Sequence, residues 1–335
     1  MKIRIIATIE AMYSIKDAWD NLYQLGNYSI FQSFYFCYYS VKSNNSVLYI
    51  ILLEQDNKII EIWPCEIINK ELRFINDKHA DFCDILSLHN NDHIINYLIS
   101  SKKFRRFHFN NLVEDSLLLK KSDRVNILLL EYLFDASVLS LSKTEKFPNN
   151  FTHLVYRQKR RLRRILSKYS TSHNILIKSK ESFPEKKIIK IRDVMISSKF
   201  RNTDFMDDNF LTLCKNLYEE GSLLISELLI NSETVALSLI YKKENKYTFW
   251  VDLYLDLSMI NIYHNTIFIQ NITEKEVAVF HFGRGAYKYK IQNFKPDLIP
   301  LFRFIIFNNI FDKFLFIIRK RILMLIRIIY RNIKS

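Results

Sequence analysis

The sequence predicts an α+β fold in which one unit of strands and helices occurs twice. A meander of three strands is found in each half of the chain, and each meander is followed by a helix and a further strand that ends in Phe-His-Phe. A helical segment lies between the two halves. Because the elements recur in the same order, we expect two similar lobes, each a mixed sheet flanked by helices.

Polar turn residues separate the predicted strands of the first half. The meander consists of Val47–Glu54, Lys58–Ile68 and Leu72–Ile75. A helix near Asp92–Ser100 follows, and then a strand that ends in Phe107-His108-Phe109-Asn110-Asn111.

Three helices are predicted between the meanders, after a breaker at Phe147-Pro148-Asn149-Asn150. The last of them ends before Gly221, a typical C-terminal residue of helices. The three helices are Thr152–Lys168, Lys186–Ser197 and Asp208–Glu220.

The second half repeats the pattern and contains a pair of glycines. Its meander consists of Leu223–Ile230, Thr234–Lys242 and Tyr247–Leu255. A helix that begins at Tyr263–Thr266 precedes a strand ending in Phe280-His281-Phe282-Gly283-Arg284. The chain has only 4 glycines, and Gly283 and Gly285 are two of them. Glycine permits positive φ and close approach of a ligand, so this turn is a candidate binding site.

The lobes are predicted to span residues 1–150 and 151–300, followed by a basic tail over 301–335. The net charge of +14 is local, because Arg157–Lys168 has seven cations and no anion, and Leu301–Ser335 has eight cations and only Asp312. The tail predicts an amphipathic helix that begins near Phe302. Either it lies on an anionic membrane surface, or it packs on the protein's own core with its basic side in solvent.

Other classes of function receive little support from the sequence. Cys37, Cys65, Cys83 and Cys214 are dispersed, which is typical of a reducing cytosol and predicts no metal site. The amino terminus lacks the features of an export signal. Nucleic acid is disfavoured as a partner, because the basic run lacks an aromatic platform. The other two interpretations of that run are a site for an anionic sugar-nucleotide or lipid-linked substrate, and a solvated helix face.

The second half resembles the CelD-type (cellulose-biosynthesis-like) acetyltransferases of the GNAT superfamily. The resemblance rests on Tyr263-His264-Asn265-Thr266, on Phe280–Gly285 and on Tyr289-Lys290, and it extends to Trp19, Phe31-Gln32-Ser33, Asp81–Leu86 and Arg160–Leu166. The order of elements is also similar to the tandem GNAT-like architecture of FemAB-type aminoacyl transferases. The resemblance implies a cytoplasmic enzyme that moves an acetyl or other acyl group from acyl-CoA to an amine, such as an amino sugar of a surface polysaccharide.

Candidate site residues follow from this chemistry. The start of the helix at Tyr263, His264, Asn265 and Thr266 would bind the CoA pyrophosphate through its backbone N–H groups, or Asn265 or Thr266 would only cap it. A protonated amine must first lose its proton, so Asp252 is the preferred base and Glu227 the second candidate.

Further residues are assigned to the leaving group and the substrate. Tyr289 or Tyr254 would protonate the departing thiolate. Arg284 and Lys290 would project from the edge of the turn formed by Gly283 and Gly285 and hold an anionic substrate or the CoA phosphates. His108 and His281 are predicted to be structural.

Departures from the family pattern leave two alternatives. His281 replaces the usual Asp, Ala286 and Tyr287 replace the frequent Asp-Glu, and the phosphate loop lacks glycines. One alternative is therefore a binding protein that keeps the fold without catalysis. The other is a FemAB-like aminoacyl transferase that uses charged tRNA, a substrate suited to the basic helix.

Overall fold

The computed structural model describes residues 1–44, 47–89, 91–121, 128–141, 148, 154–169, 173–179, 181–257, 259–307 and 309–334. The predicted α+β class is confirmed. The chain forms two compact units: the first comprises Met1–Cys37, Ser46–Leu133 and Leu301–Ser335, and the second comprises Tyr38–Asn45 and Phe134–Pro300. Most of the predicted breaker at 147–150 lies outside the described residues.

The strands are β1 (Lys2–Ile6), β2 (Val47–Leu48), β3 (Ile50–Gln55), β4 (Lys58–Trp63), β5 (Cys65–Ile68), β6 (Glu71–Phe74), β7 (Leu86–Ser87), β8 (Arg106–Val113), β9 (Leu128–Leu141), β10 (His173–Lys178), β11 (Leu223–Ile230), β12 (Glu233–Lys243), β13 (Lys246–Tyr254), β14 (Ala278–Arg284) and β15 (Asp297–Phe307).

The helices are α1 (Ile9–Tyr13), α2 (Lys16–Leu25), α3 (Phe34–Asn44), α4 (His93–Ser101), α5 (Leu117–Lys120), α6 (Tyr156–Tyr169), α7 (Glu185–Ser197), α8 (Asp208–Glu220), α9 (Ile260–Thr273), α10 (Lys288–Phe294) and α11 (Ile310–Lys334). A short 3₁₀ helix spans Ile30–Gln32.

The meander of the first unit is divided between two sheets. One sheet has the strand order β1-β3-β4-β7. In the other sheet, the strands of this unit follow the order β15-β8-β6-β5-β2. The predicted strand Lys58–Ile68 is interrupted at Pro64, because proline has no N–H to donate to a ladder and fixes its own φ. The chain passes from one sheet to the other at this residue.

The meander of the second unit is continuous, and its strands follow the order β10-β11-β12-β13-β14. Strand β14 runs parallel to β13 over three pairs only, from Lys246 opposite Val279 to Thr248 opposite His281. Beyond Thr248 the two strands diverge, while β14 continues its ladder with β9. Strand β13 therefore carries its last six residues beyond the parallel ladder.

Aromatic residues fill the core of the second unit where this ladder ends. The rings of Phe249 and Phe282 stack with their centroids 5.4 Å apart and their planes 6° apart. Phe282 also contacts Phe294 of α10, at a centroid distance of 4.9 Å. These contacts fix the end of β14 against β13 and α10, which surround the candidate site.

The predicted carboxy-terminal helix is present but shorter than expected. Residues 302–307 belong to strand β15, and α11 begins only at Ile310. Strand β15 pairs with β8, and its large apolar residues Phe302, Phe304 and Ile306 occur at every second position. This spacing is the period of a strand and not of a helix. Along the described residues, no helix combines the length and apolarity needed to cross a bilayer.

Candidate active site

Three polar side chains form a row across the meander of the second unit. Ser226 of β11 lies opposite Ser238 of β12, which in turn lies opposite Asp252 of β13. Directly opposed residues share one face of a sheet, so the three side chains point to the same side. The Ser238 hydroxyl donates a hydrogen bond to Asp252 Oδ1 at 2.7 Å.

His264 of α9 continues this row on the helix that covers the sheet. Its Nε2 lies 2.8 Å from the Ser226 hydroxyl, and its Nδ1 lies 3.5 Å from the Ser238 hydroxyl. Burial lowers the pKa of His264 to about 3, so the ring is neutral at physiological pH. We call Ser226, His264, Ser238 and Asp252 the polar row.

Asp252 is the one acidic group of the polar row, and it lies on the diverging part of β13. Burial raises the pKa of its carboxyl, while the Ser238 hydroxyl, the nearby Asn265 amide and the charges of Lys290 and Arg201 oppose the shift. Asn265 is itself buried. A carboxylate with a raised pKa accepts a proton more readily than an ordinary aspartate does.

The helix that was expected to begin at Tyr263–Thr266 begins three residues earlier, at Ile260. Met259 precedes it with a left-handed φ of 62°. The side chains of Tyr263, His264, Asn265 and Thr266 are all buried inside α9. The predicted position of these residues at the helix start is therefore wrong, and the first-turn N–H groups belong to residues 260–262.

The glycine turn has the predicted backbone geometry. Gly283 has a φ of 70° and Gly285 a φ of 89°, both in the left-handed region. A Cβ on Gly285 would come within 2.7 Å of the Tyr287 ring. The Gly285 N–H donates to the carbonyl of Asp135 at 2.8 Å, which ties the turn to β9. The conformation and the contact with Tyr287 both require glycine at position 285.

Lys290 holds this turn from the inside. Its side chain is buried, and its ammonium donates to the carbonyls of Phe282 at 2.5 Å, Arg284 at 3.2 Å and Gly285 at 3.2 Å. The expectation that Lys290 projects from the edge of the turn is wrong, because the carbonyl oxygens of the turn bind its charge. Arg284 is half-buried and pairs with Ala136 of β9 in the ladder.

Tyr289 lies on α10, close enough to Asp252 for the charge of the Asp252 carboxylate to affect the ionisation of the Tyr289 phenol. Burial raises the pKa of the Tyr289 phenol above its ordinary value, and the charge of Asp252 raises it further. Burial also raises the pKa of Tyr254, with a smaller contribution from Asp252. The structure thus brings together Asp252, Tyr289 and Tyr254, three of the residues that the sequence assigns to proton transfer.

Glu227 points to the opposite face of the sheet from Asp252, because it follows Ser226 by one residue. It is fully buried and forms an ion pair with Lys187, accepts a hydrogen bond from Thr234, and lies 3.4 Å from Lys178. Burial favours a raised pKa, but these hydrogen bonds and charges outweigh it and the pKa of Glu227 is lowered. The geometry favours a structural role.

The two Phe-His-Phe histidines have different surroundings. His108 Nδ1 lies 3.4 Å from Glu71, an acidic residue that also pairs with Arg73 and Arg106. His281 is held neutral, because burial and the charge of Lys246 lower its pKa to about 4. Neither histidine belongs to the polar row. A structural role for both residues therefore stays a prediction.

A basic pocket of about 550 Å³ lies where α6 packs near the start of α9. It is lined by Arg157, Arg160, Arg161, Arg164, Ile165 and Lys168 of α6 and by Met259. Arg157, Arg160, Arg164 and Lys168 form no ion pair with an acidic residue of the described part of the chain. These side chains give the pocket a positively charged lining.

Sequence reasoning missed Ser226, Ser238 and the pocket. A hydroxyl within an apolar strand is a usable signal, since buried polar groups are normally bonded, and both serines lie in such strands. The pocket depends on the packing of α6 beside Met259, which periodicity does not show. Among the described residues, no group of three or more metal-ligating side chains is positioned to hold a metal ion.

Comparison with known proteins identifies the fold through structure alone. No protein-family model and no curated protein matches the sequence. The chain is similar to the carboxy-terminal (DUF2156) domain of a putative lysylphosphatidylglycerol synthetase from Agrobacterium fabrum, with a TM-score of 0.60, 11% identity, and coverage of 93% of this chain and 97% of that one.

Two further solved structures share the architecture. FemX aligns with a TM-score of 0.58 and 8% identity over 92% of this chain and 98% of that one. A tandem GNAT protein from the clavulanic acid biosynthesis pathway aligns with a TM-score of 0.51 and 5% identity over 90% and 98%. The chain has a GNAT-like fold. At these identities the likeness concerns the fold, and it agrees with the predicted tandem, FemAB-like architecture.

Proposed function

We propose that the second unit is an N-acyltransferase, which moves an acyl group from a phosphate-bearing donor to an amine. The observation that carries this proposal is the placement of the basic pocket and Asp252 at the same half of α9. Met259 lines the pocket, and Asn265 lies beside Asp252. Six residues separate them, which is about 9 Å of helix axis.

The pocket is suited to the phosphates of the donor. The positive end of the α9 dipole favours an anion. Among the first-turn N–H groups, that of Ile260 already donates to the Leu257 carbonyl and that of Ile262 to Asn261 Oδ1, so anion binding would depend on the dipole and the α6 cations. A glycine-rich loop would bind the phosphates through its backbone N–H groups. Here the cations of α6 would bind them instead. We infer that an acyl group extending from this anchor reaches the last residues of β13, where Asp252 lies.

The reaction requires one base and one acid. Asp252 accepts a proton from the acceptor amine, whose nitrogen then attacks the acyl carbonyl carbon. A C–N bond forms and the C–S or C–O bond to the donor breaks. Tyr289 donates its phenolic proton to the departing sulfur or oxygen and recovers a proton from the nitrogen of the adduct, which leaves a neutral amide. Ser238 orients the Asp252 carboxyl.

Acetyl-CoA or another acyl-CoA is the first candidate donor, and an amino sugar of a surface polysaccharide is the candidate acceptor. Both assignments, like membership of the CelD-type family, rest on the motif around Phe280–Gly285. We place the transferase in residues 151–300 and in the cytoplasm. The absence of acidic residues at Ala286 and Tyr287 keeps a non-catalytic binding role as the rival hypothesis.

An aminoacyl ester of RNA is a second candidate donor, favoured by one observation. The lining of the pocket includes five cations of α6, more than a single pyrophosphate requires.

Thermal unfolding with donor candidates, followed by transfer assays, tests the proposal. We expect acetyl-CoA or an aminoacyl-tRNA to raise the Tm, and the stabilising donor to acylate at least one member of a panel of amino sugars, detected by mass spectrometry. Stabilisation without any acylated product would favour the binding role. Absence of stabilisation by either donor class would overturn the proposal.

A further inference from the structure

Helix α11 exposes a continuous apolar face on the first unit. Large side chains recur every three or four residues along one side of the helix, and Phe311 and Phe314 are 64% and 60% exposed. The exposed members of this face include Phe311, Phe314, Leu315, Ile318, Ile322 and Ile326. We call this set the α11 face. An exposed apolar surface of this extent indicates contact with a partner or a membrane.

The opposite side of α11 attaches the helix to the first unit. Phe316 packs against Phe307 with a centroid distance of 5.4 Å, and the guanidinium of Arg106 lies 5.0 Å from its ring centroid. Lys320 forms a 2.7 Å ion pair with Glu131 of β9. The helix therefore turns part of its cationic stripe towards the protein and its apolar face away from it. The alternative in which the apolar face packs on the core is wrong.

Two arginines border the α11 face. At about 100° per residue, Arg319 lies at one edge of the face and Arg321 at the other. Both side chains are exposed. Asp312 is the one acidic residue in the sequence of α11, and it lies in the first turn. The face thus combines apolar insertion with positive borders along a helix of 25 residues, about 37 Å long.

We propose that α11 docks on an anionic lipid bilayer, with the α11 face inserted at the level of the headgroups and Arg319 and Arg321 on lipid phosphates. Charge complementarity favours this occupant over a second copy of the chain. Two copies joined face to face would bring the bordering arginines of both helices together, whereas anionic lipids neutralise them. The proposal does not depend on the transferase activity.

Vesicle flotation of the full chain tests the proposal. We expect flotation with vesicles of phosphatidylcholine mixed with phosphatidylglycerol and little with phosphatidylcholine alone. The triple variant Phe311→Ser, Phe314→Ser, Ile318→Ser should bind roughly a hundredfold more weakly. The double variant Arg319→Gln, Arg321→Gln should bind the anionic vesicles roughly thirtyfold more weakly, at about 1 kcal/mol for each arginine.

A matched control replaces three exposed apolar residues elsewhere on the first unit, as Tyr13→Ser, Leu25→Ser, Val47→Ser. It should float like the wild type. Thermal unfolding of every variant verifies that the exposed substitutions leave the fold intact. Equal flotation of the wild type and the α11 triple variant would overturn the proposal. So would a wild-type dimer in light scattering that the triple variant dissociates, if the wild type fails to float.

Discussion

The two units end a comparable strand in different ways. In the first unit, Phe107-His108-Phe109 leads to Asn111, whose φ is 62° and whose buried side chain donates to the carbonyls of Asp77 at 3.0 Å and Ala80 at 2.8 Å. In the second unit, the equivalent strand leads to Gly283 and Gly285, and Lys290 bonds their turn from within. The first turn is fixed by its own Asn111 side chain, whereas the second is fixed by the ammonium of Lys290, which binds its carbonyls.

Buried charge follows the same contrast. Glu61 in the first unit accepts hydrogen bonds from Trp63 at 2.6 Å, Ser87 at 3.1 Å and Lys121 at 3.1 Å, which neutralise and fix it. Asp252 in the second unit receives a hydrogen bond from Ser238, and burial raises its pKa. Satisfied charge stabilises a fold, and a carboxyl with a raised pKa is available for proton transfer. The comparison assigns stability to the first network and chemistry to the second.

The largest expected effect is on transfer by Asp252→Asn. Removal of the base should lower kcat by roughly 10²- to 10⁴-fold, with donor affinity unchanged. Steady-state kinetics with the donor that stabilises the wild type measure both quantities. Asp256→Asn, an exposed aspartate just beyond β13, is the matched control and should retain activity.

The pH dependence of the same reaction sharpens this prediction. The base must be deprotonated to act, and the pKa of Asp252 is raised, so activity should fall on acidification at a pH above the ordinary aspartate range. That acid limb should be absent from the residual activity of Asp252→Asn. An unchanged limb in the variant would assign the base elsewhere.

In the first unit, Glu61→Gln should affect stability. The substitution leaves the buried Lys121 ammonium without its counter-charge, which typically costs about 3–5 kcal/mol. Urea denaturation measures the free energy of unfolding. Glu54→Gln, which breaks the more exposed pair with Arg4, should cost less than about 1 kcal/mol. Comparable losses of unfolding free energy in the two variants would contradict the stabilising role assigned to the buried Glu61 hydrogen bonds.

A smaller effect on the free energy of unfolding is expected for His264→Gln in the polar row. The folded-state pKa of His264 is about 3 and the unfolded value is about 6.5, so the unfolded chain binds an extra proton between these pH values. Wild-type stability should therefore fall as the pH is lowered from 6.5, by about 1.4 kcal/mol per pH unit from this group. The variant lacks this contribution, so the stability gap should narrow on acidification.

Urea denaturation over a series of pH values measures that gap. His93→Gln replaces an exposed histidine of the first unit and serves as the control, since its pH profile should match the wild type. A constant gap between the wild type and His264→Gln from neutral to acid pH would contradict a buried, neutral ring.

Local signals in the sequence predicted much of the second unit. Helix α8 has the expected bounds, and its end is fixed by Gly221, whose φ of 94° suits glycine. The same signals failed where burial decides. Asn265 and Thr266 have the composition of helix caps, but they lie inside α9, because the packing of the helix and not its sequence sets where it begins.

Only part of the candidate site was predicted, because its residues come together through packing and not through local sequence. Asp252 and Tyr289 are separated by 37 positions, and neither local sequence shows that the fold brings them near each other. Lys290 was misplaced because a cation beside a glycine turn suggests a ligand site, although here the carbonyls of the turn bind it. Strand β15 was missed because its apolar run continues into α11 in the sequence.

Donor affinity tests the central contrast between the units most directly. Calorimetric titration of the stabilising donor would compare Arg160→Gln, Arg164→Gln in the basic pocket with Lys2→Gln, Lys58→Gln on the first unit, two variants of equal charge change. We expect at least about tenfold weaker binding for the pocket variant and wild-type affinity for the other. Equal affinities in the two variants would contradict donor binding at α6 and α9.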